Sequence, residues 1–172
     1  AFDMDADRIT VYYQDRFLSG DEIFSVLAQL VDGEVVASID TSKALEQFGE
    51  VDYTRVGDPF VMDKALEIDA ELAGEPNGHY SFTDFVPYNS GILAALILSG
   101  LDLDNRIQRV PDYSVERDST DVKDKHQVIE RLTQEKEVIS DLDGVKFREG
   151  EAEVLVRPSG SSPKVRIIAE SR

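Results

Sequence analysis

The chain has 172 residues, 41% of them hydrophobic, which allows one large domain or two small ones with real cores. It has no cysteine, which excludes disulfides and thiolate metal sites and fits a reducing, cytoplasmic location. A formal net charge of −17 argues against a nucleic-acid partner, because a duplex would repel the chain.

The same acidity suits high salt, where screening relieves the self-repulsion of a carboxylate-rich surface, and Arg outnumbers Lys. A salt-loving (halophilic) source is therefore expected. The melting temperature should rise from low to molar potassium chloride, and a flat series contradicts the expectation. No membrane partner is expected, since the longest apolar run, Ile92–Leu98, is too short to span a bilayer. No charged-then-apolar leader opens the sequence, so no signal peptide is expected. The start at Ala1, directly at a motif, leads us to expect a fragment or a processed piece.

In chain order, Ile9–Tyr13 is β-branched and aromatic and reads as a strand, followed by a turn at Gln14–Arg16. Ser19 and Glu22 have capping-box spacing. Apolar Ile23, Phe24, Val26, Leu27, Leu30 and Val31 then mark one face of a helix that Gly33 stops. Glu34–Ile39 reads as a strand. Thr41 caps a short helix through Phe48, and Val51–Val56 is the next strand. Gly57-Asp58-Pro59 turns into a helix over about residues 60–68. Ala70–Ala73 and Tyr80–Phe82 are short strands around a polar turn. Asn89-Ser90 caps a helix over Gly91–Ser99, stopped by Gly100. This alternation predicts an α/β layer with mainly parallel strands over residues 19–103.

A linker is expected at Leu101–Pro111. Beyond it, Tyr113–Val122 is extended. Asp124–Val138 is a charged amphipathic helix that buries Val128, Ile129, Leu132 and Val138. Asp143-Gly144 is a turn. Val145–Arg148, Ala152–Val156 and Lys164–Ala169 are strands. The fold class is thus α/β: a mixed α/β layer domain (19–103), then a small α+β domain with an antiparallel sheet (104–172).

Three loops carry chemistry. Asp3, Asp5 and Asp7 alternate, so their carboxylates can converge on one hard cation such as magnesium. A calcium hand is excluded, because Arg8 and Gln14 stand where its Gly and Glu would be. The bland reading is chance alternation in an acidic chain. In the central loop, Gly74–His79, Glu75 and Asn77 can take sugar hydroxyls, and His79 can donate or shuttle a proton. The bland reading there is a structural turn; His126, on the charged helix, reads as a surface residue. In the third loop Arg157, Lys164 and Arg166 form a cationic island around Ser159, Gly160, Ser161 and Ser162. Forked guanidinium donors, hydroxyls and exposed backbone N–H groups are what a phosphate dianion requires.

Taken together the loops resemble the α-D-phosphohexomutases, and within them the phosphomannomutase/phosphoglucomutase group. The family pattern is D-x-D-x-D-R, then G-E-x-S-G-H, then R-P-S-G-T-x-P, and the chain has DMDADR, GEPNGH and RPSGSSP in that order. The stretches FLSGDEI, DTSKALEQFG, SGILAAL and PKVRIIAES also look like the family. Met4 departs from the usual Gly, Asn77 from the sugar loop's Ser, and Ser90 from a common Asp. Ser161 and Ser162 stand where Thr and often Glu occur.

The resemblance implies a mutase that moves phosphate between O1 and O6 of a hexose through a phosphoserine and a bisphosphate intermediate. Asp3, Asp5 and Asp7 would hold Mg2+. Arg8 would lie beside the serine phosphate, and Glu75, Asn77 and His79 would grip the sugar. Arg8 and His79 would be the catalytic pair, while Arg157, Ser159, Gly160 and Ser161 would hold the phosphate not in transfer. Residues 1–18 would be the metal loop and the tail of a preceding, mostly absent domain.

No Ser-His-Asn-Pro motif occurs in the sequence, so the chain alone is expected to be inactive and to need the missing N-terminal domains as partner. A non-catalytic sugar-phosphate-binding module is the alternative, and mannose, glucose and glucosamine phosphates all remain open as substrates. The orphaned strand Ile9–Tyr13 is expected to drive self-association or to leave roughly the first seventeen residues disordered.

Overall fold

A computed structural model describes residues 1–172 and divides them into two units, Ala1–Pro111 and Asp112–Arg172. In the first unit β1 (Tyr12–Tyr13) and β2 (Arg16–Phe17) form a hairpin. Its turn residues Gln14 and Asp15 are both left-handed, at φ 46° and 62°, which matches the twist of a tight hairpin. α1 (Gly20–Ala28) follows. Its capping box is formed, with Ser19 accepting the Glu22 N–H and Glu22 accepting the Ser19 N–H.

Beyond α1 come β3 (Val35–Ser38), β4 (Val51–Thr54), α2 (Asp58–Glu67), β5 (Leu72–Gly74), β6 (Tyr80–Phe82), α3 (Gly91–Ser99) and α4 (Leu103–Ile107). The sheet order is β4-β3-β5-β6. β3 is parallel to β4 and β5, and β6 is antiparallel to β5. Successive side chains of a strand point to opposite faces. Val35, Ala37 and Leu72 therefore pack with Phe24 and Leu27 of α1, while Val36 and Ala73 pack with Val61, Met62 and Ala65 of α2. The sheet is covered on both faces.

The structure corrects several boundaries. α1 ends at Ala28, not near Gly33. The Gln29 carbonyl, which would continue the helix, accepts from Arg106 Nη1 at 2.9 Å, and Gln29 Nε2 donates back to the Arg106 carbonyl at 3.0 Å. Leu30 and Val31 still pack on the core from the turn that follows. The same pair of bonds removes the expected linker: Leu101–Pro111 contains α4, whose Leu103 and Ile107 pack on the α1 core, and the unit boundary lies after Pro111. The short helix Lys43–Phe48 is a 3-10 helix capped by Ser42 rather than Thr41. Ser42 Oγ accepts the Ala44 N–H at 3.1 Å, and the Thr41 hydroxyl sits against Ser38.

The stretch Ile9–Tyr13 contributes to a two-stranded sheet, β1-β2, that joins neither of the larger sheets. Only Tyr12–Tyr13 pairs as strand, Ile9 is buried with its N–H on the Gly78 carbonyl at 3.1 Å, and the Thr10 N–H bonds to Ala1 at 2.9 Å. Residues 1–18 thus lie within the first unit.

The second unit holds β7 (Ser114–Asp121), α5 (Lys125–Glu135), β8 (Val138–Ser140), β9 (Val145–Glu149), β10 (Ala152–Pro158) and β11 (Lys164–Ser171). The sheet order β7-β11-β10-β9-β8 is antiparallel throughout. Asp124 caps α5 by accepting the His126 and Gln127 N–H groups. Val128, Ile129 and Leu132 of α5 pack on Val145, Phe147, Val156 and Val165 of the sheet. Val138 does not lie on this helix. Lys136 turns extended to pair with Glu149, and Val138 then opens β8 opposite Phe147. No helix is long and apolar enough to cross a membrane.

Candidate functional site

The Asp3–Arg8 loop is seated on the central loop by backbone contacts that two glycines permit. The Gly91 N–H, at the start of α3, donates to the Ala6 carbonyl at 3.0 Å, and a Cβ on Gly91 would lie 2.4 Å from the Arg8 carbonyl oxygen. Gly78 has φ +103°, and a Cβ there would lie 2.7 Å from the Ile9 carbonyl oxygen. An isolated bridge pairs Arg8 with His79. Motifs far apart in sequence therefore share one place.

One carboxylate oxygen from each of Asp3, Asp5 and Asp7 lies within 4.8 Å of the others. Asp7 Oδ1 is buried and has no hydrogen-bond partner. Its ion-pair contact, Arg8 Nε at 3.9 Å, is beyond hydrogen-bond reach; a buried carboxylate oxygen without a hydrogen bond is costly, and a hard cation would settle it. The donor set and this orphaned oxygen both fit magnesium. The Arg8 N–H donates to Asp3 Oδ1 at 3.3 Å, and Arg8 Nε lies 3.5 Å from Asp3 Oδ2.

His79 is buried between the two loops. Arg8 Nε donates to its Nε2 at 2.9 Å, which places the ring proton on Nδ1, 3.2 Å from Glu75 Oε2. Asp7 Oδ2 is also 3.2 Å from Nε2 and would accept from it once the ring is doubly protonated. Burial pushes the His79 pKa down and Arg8 opposes protonation, but the Glu75 hydrogen bond and the Asp7 and Glu75 charges outweigh both and raise it above the ordinary 6.5.

Glu75 is 2% exposed. It accepts from the Gly57 N–H at 2.8 Å, from Asn77 Nδ2 at 3.3 Å and from His79. Burial pushes its pKa up, yet the bonds from His79, Gly57 and Asn77 hold it below the ordinary 4.5. Asn77 Oδ1 accepts the His79 N–H at 3.2 Å, so Asn77 ties the two ends of the turn together.

In the second unit the third loop joins β10 to β11. Arg157 is buried, and its Nε donates to Asp143 Oδ2 at 2.7 Å. Ser159 is buried, with its N–H on the Lys164 carbonyl and its Oγ accepting from Ser162 at 2.9 Å. Gly160 and Ser161 are exposed. Arg166 stands opposite Arg157 in the ladder and is exposed, and Lys164 Nζ lies 3.9 Å from Asp121.

The chain matches the family model described as phosphoglucomutase/phosphomannomutase, alpha/beta/alpha domain III, over residues 19–106, and that of the C-terminal domain over residues 115–172. It belongs to the phosphoglucomutase/phosphomannomutase family. It is 33% identical to a probable phosphoglucosamine mutase of Methanothermobacter thermautotrophicus, across 100% of this chain and 43% of that protein. Against the phosphoglucosamine mutase of Bacillus licheniformis it is 32% identical, across 100% of this chain and 42% of that protein. In structure it is similar to a phosphoglucomutase/phosphomannomutase family protein from Burkholderia thailandensis. That match has a TM-score of 0.86 at 23% identity and covers 99% of this chain and 42% of that one. A putative phosphomannomutase from Thermus thermophilus matches with a TM-score of 0.75 at 25% identity, covering 99% of this chain and 41% of that one. The chain thus spans a little over two-fifths of the relatives it matches.

For this family member the first unit gathers Asp3, Asp5, Asp7, Arg8, Glu75, Asn77 and His79, and the second gathers Arg157, Ser159, Gly160 and Ser161. Sequence reasoning missed Gly57, whose N–H is taken by Glu75, and its neighbour Asp58, which accepts from Asn89. The signal was available: Gly57-Asp58 follows a parallel strand, at the end where α/β sheets gather ligands. It also missed Lys125 and Asp143 around the third loop, which had read as a helix start and a plain turn.

Proposed function

We propose that this chain is the sugar- and phosphate-binding part of a phosphohexomutase that moves phosphate between O1 and O6 of a hexose, with glucosamine phosphate as its substrate. The observation that carries the reaction class is the seating of the aspartate loop on the central loop, with Arg8 2.9 Å and Asp7 3.2 Å from His79 Nε2. Glucosamine is favoured over mannose or glucose by the phosphoglucosamine mutases that match over the whole chain.

Asn77 is exposed and offers polar atoms to sugar hydroxyls, on a turn that the buried Glu75 and His79 hold rigid by their hydrogen bonds. Nε2 of His79 accepts from Arg8 and its Nδ1–H is held by Glu75, so the ring takes the proton that a hydroxyl loses as it attacks phosphorus only once Arg8 leaves Nε2 for the phosphate. Arg8 then offers its guanidinium to the transferring phosphate. Asp3, Asp5 and Asp7 would hold a magnesium ion, which when bound neutralises charge on a phosphate oxygen. The Arg157 loop holds the phosphate that stays in place.

The coupled assay uses glucosamine 1-phosphate, magnesium and a trace of the bisphosphate. The 172 residues contain no Ser-His-Asn-Pro motif, so the chain alone is expected to show no turnover above the blank. Adding the seryl-phosphate-bearing half of a relative as a separate chain is expected to restore it. Turnover by the chain alone that Asp5→Asn abolishes would require another source for the transferred phosphate.

A further inference from the structure

We infer that Asp143 and Lys125 are positioning residues for an anion on the Arg157–Pro163 loop; the inference rests on the phosphate reading above. Arg157 Nε donates to Asp143 Oδ2 at 2.7 Å, with the two side chains only 10% and 19% exposed. A carboxylate on the Nε side leaves the two-nitrogen end of the guanidinium fork for a second anion. A pinned arginine also has less rotamer freedom to lose when the anion arrives.

The turn that carries Asp143 is built against Arg157 itself. Gly144 has φ +108°, and a Cβ there would lie 2.3 Å from the Val156 carbonyl oxygen and 2.7 Å from Arg157 Cα. Backbone contact, not side-chain reach alone, fixes the Asp143 to Arg157 spacing.

Lys125 acts on the loop's backbone. As the first residue of α5 it donates from Nζ to the Ser159 carbonyl at 2.6 Å. In a trans peptide the carbonyl and the following N–H point in opposite directions. Drawing the Ser159 carbonyl to Lys125 therefore turns the Gly160 N–H away from it, on the exposed stretch of Gly160 and Ser161.

Asp143 carries the same sign as the anion, so two effects compete. Charge alone predicts tighter binding when Asp143 is removed; orientation predicts weaker binding. We expect orientation to win, because a freed Arg157 regains rotamer freedom that must be lost again when the anion binds.

The test is calorimetry of the 172-residue chain with inorganic phosphate and with glucosamine 6-phosphate, each variant checked for folding by circular dichroism. Asp143→Ala is expected to weaken binding about tenfold, and Asp143→Asn less, since the amide oxygen still accepts from Nε. Lys125→Met is expected to weaken it about threefold, as one charge-assisted bond to a loop carbonyl is lost. In an Arg157→Ala background, Asp143→Ala should cost no further affinity, a non-additivity that a purely structural role would not produce. Equal or tighter binding by folded Asp143→Ala overturns the inference; if that variant does not fold, the same result for Asp143→Asn overturns it. Loss of binding in Arg157→Ala but not in the Asp143 variants leaves the phosphate reading standing and sinks this one. No binding by the unaltered chain sinks both.

Discussion

Phe24→Ala is expected to destabilise the first unit by about 3–5 kcal/mol, the cost of emptying a phenylalanine site in a packed core. Phe24 lies on α1 and is fully buried. Its ring centroid is 5.4 Å from that of Tyr80, and its Cζ is 3.2 Å from where a Cβ on Gly74 would lie. Gly74 ends β5 and Tyr80 begins β6, so one ring supports both strands that bracket the central loop. The cavity would open beside Gly74 and Tyr80, which flank the central loop in sequence. Urea unfolding followed by circular dichroism gives the loss, with Phe60→Ala as control. Phe60 is 48% exposed, and its removal should cost less than about 1 kcal/mol. Equal costs for the two would mean that the ring does not carry the loop.

Gly91→Ala sets two effects of opposite sign against each other. Alanine in place of a helical glycine ordinarily stabilises by about 0.5–1 kcal/mol. Here the added Cβ would lie 2.4 Å from the Arg8 carbonyl oxygen, 2.7 Å from its carbon and 3.0 Å from the Ala6 carbonyl oxygen. These are backbone atoms, which cannot rotate aside, and overpacking of this kind costs about 1–3 kcal/mol or more. The clash should win. The Asp3–Arg8 loop should lift from α3, giving net destabilisation of about 1–2 kcal/mol, and the proposed magnesium site should lose affinity about tenfold, equivalent to some 1.4 kcal/mol. Thermal melts and a manganese titration read the two effects. Gly49→Ala is the control, since a Cβ there meets nothing within 4 Å. A more stable Gly91→Ala with unchanged metal affinity would show that the loop is not seated on α3.

How far the fold was legible depended on how local each signal was. Ser19 with Glu22 and Ser90 before Gly91 are caps that each act within a few residues, and the structure uses both. Where α1 stops was not legible, because its end is set by Gln29 and Arg106, which meet only in the folded unit. The same contact hid α4 inside what read as a linker. Val138 fitted the helical period of α5, yet its place is an edge strand opposite Phe147, a preference decided by the sheet.

The site shows the same division. The three loops could be read because each is a dense, ordered motif. Their support could not: Asp143-Gly144 looks like any Asp-Gly turn until Arg157 is found 2.7 Å away, and Gly57 has no side chain to signal its bond to Glu75. A buried glutamate that saturates its oxygens on a backbone N–H, an amide and an imidazole is visible only in three dimensions.

The proposed function's central claim is that this chain binds a hexosamine phosphate, and its most direct test is titration of the 172-residue chain with glucosamine 6-phosphate by calorimetry, with glucosamine and inorganic phosphate as separate ligands. The account predicts saturable binding of the sugar phosphate. Arg157→Ala should weaken it by about 1.5–3 kcal/mol through loss of a charge-assisted contact, and Glu75→Gln should weaken it through a loosened central turn. Absence of binding at millimolar ligand, or affinity left unchanged by Arg157→Ala, would contradict it.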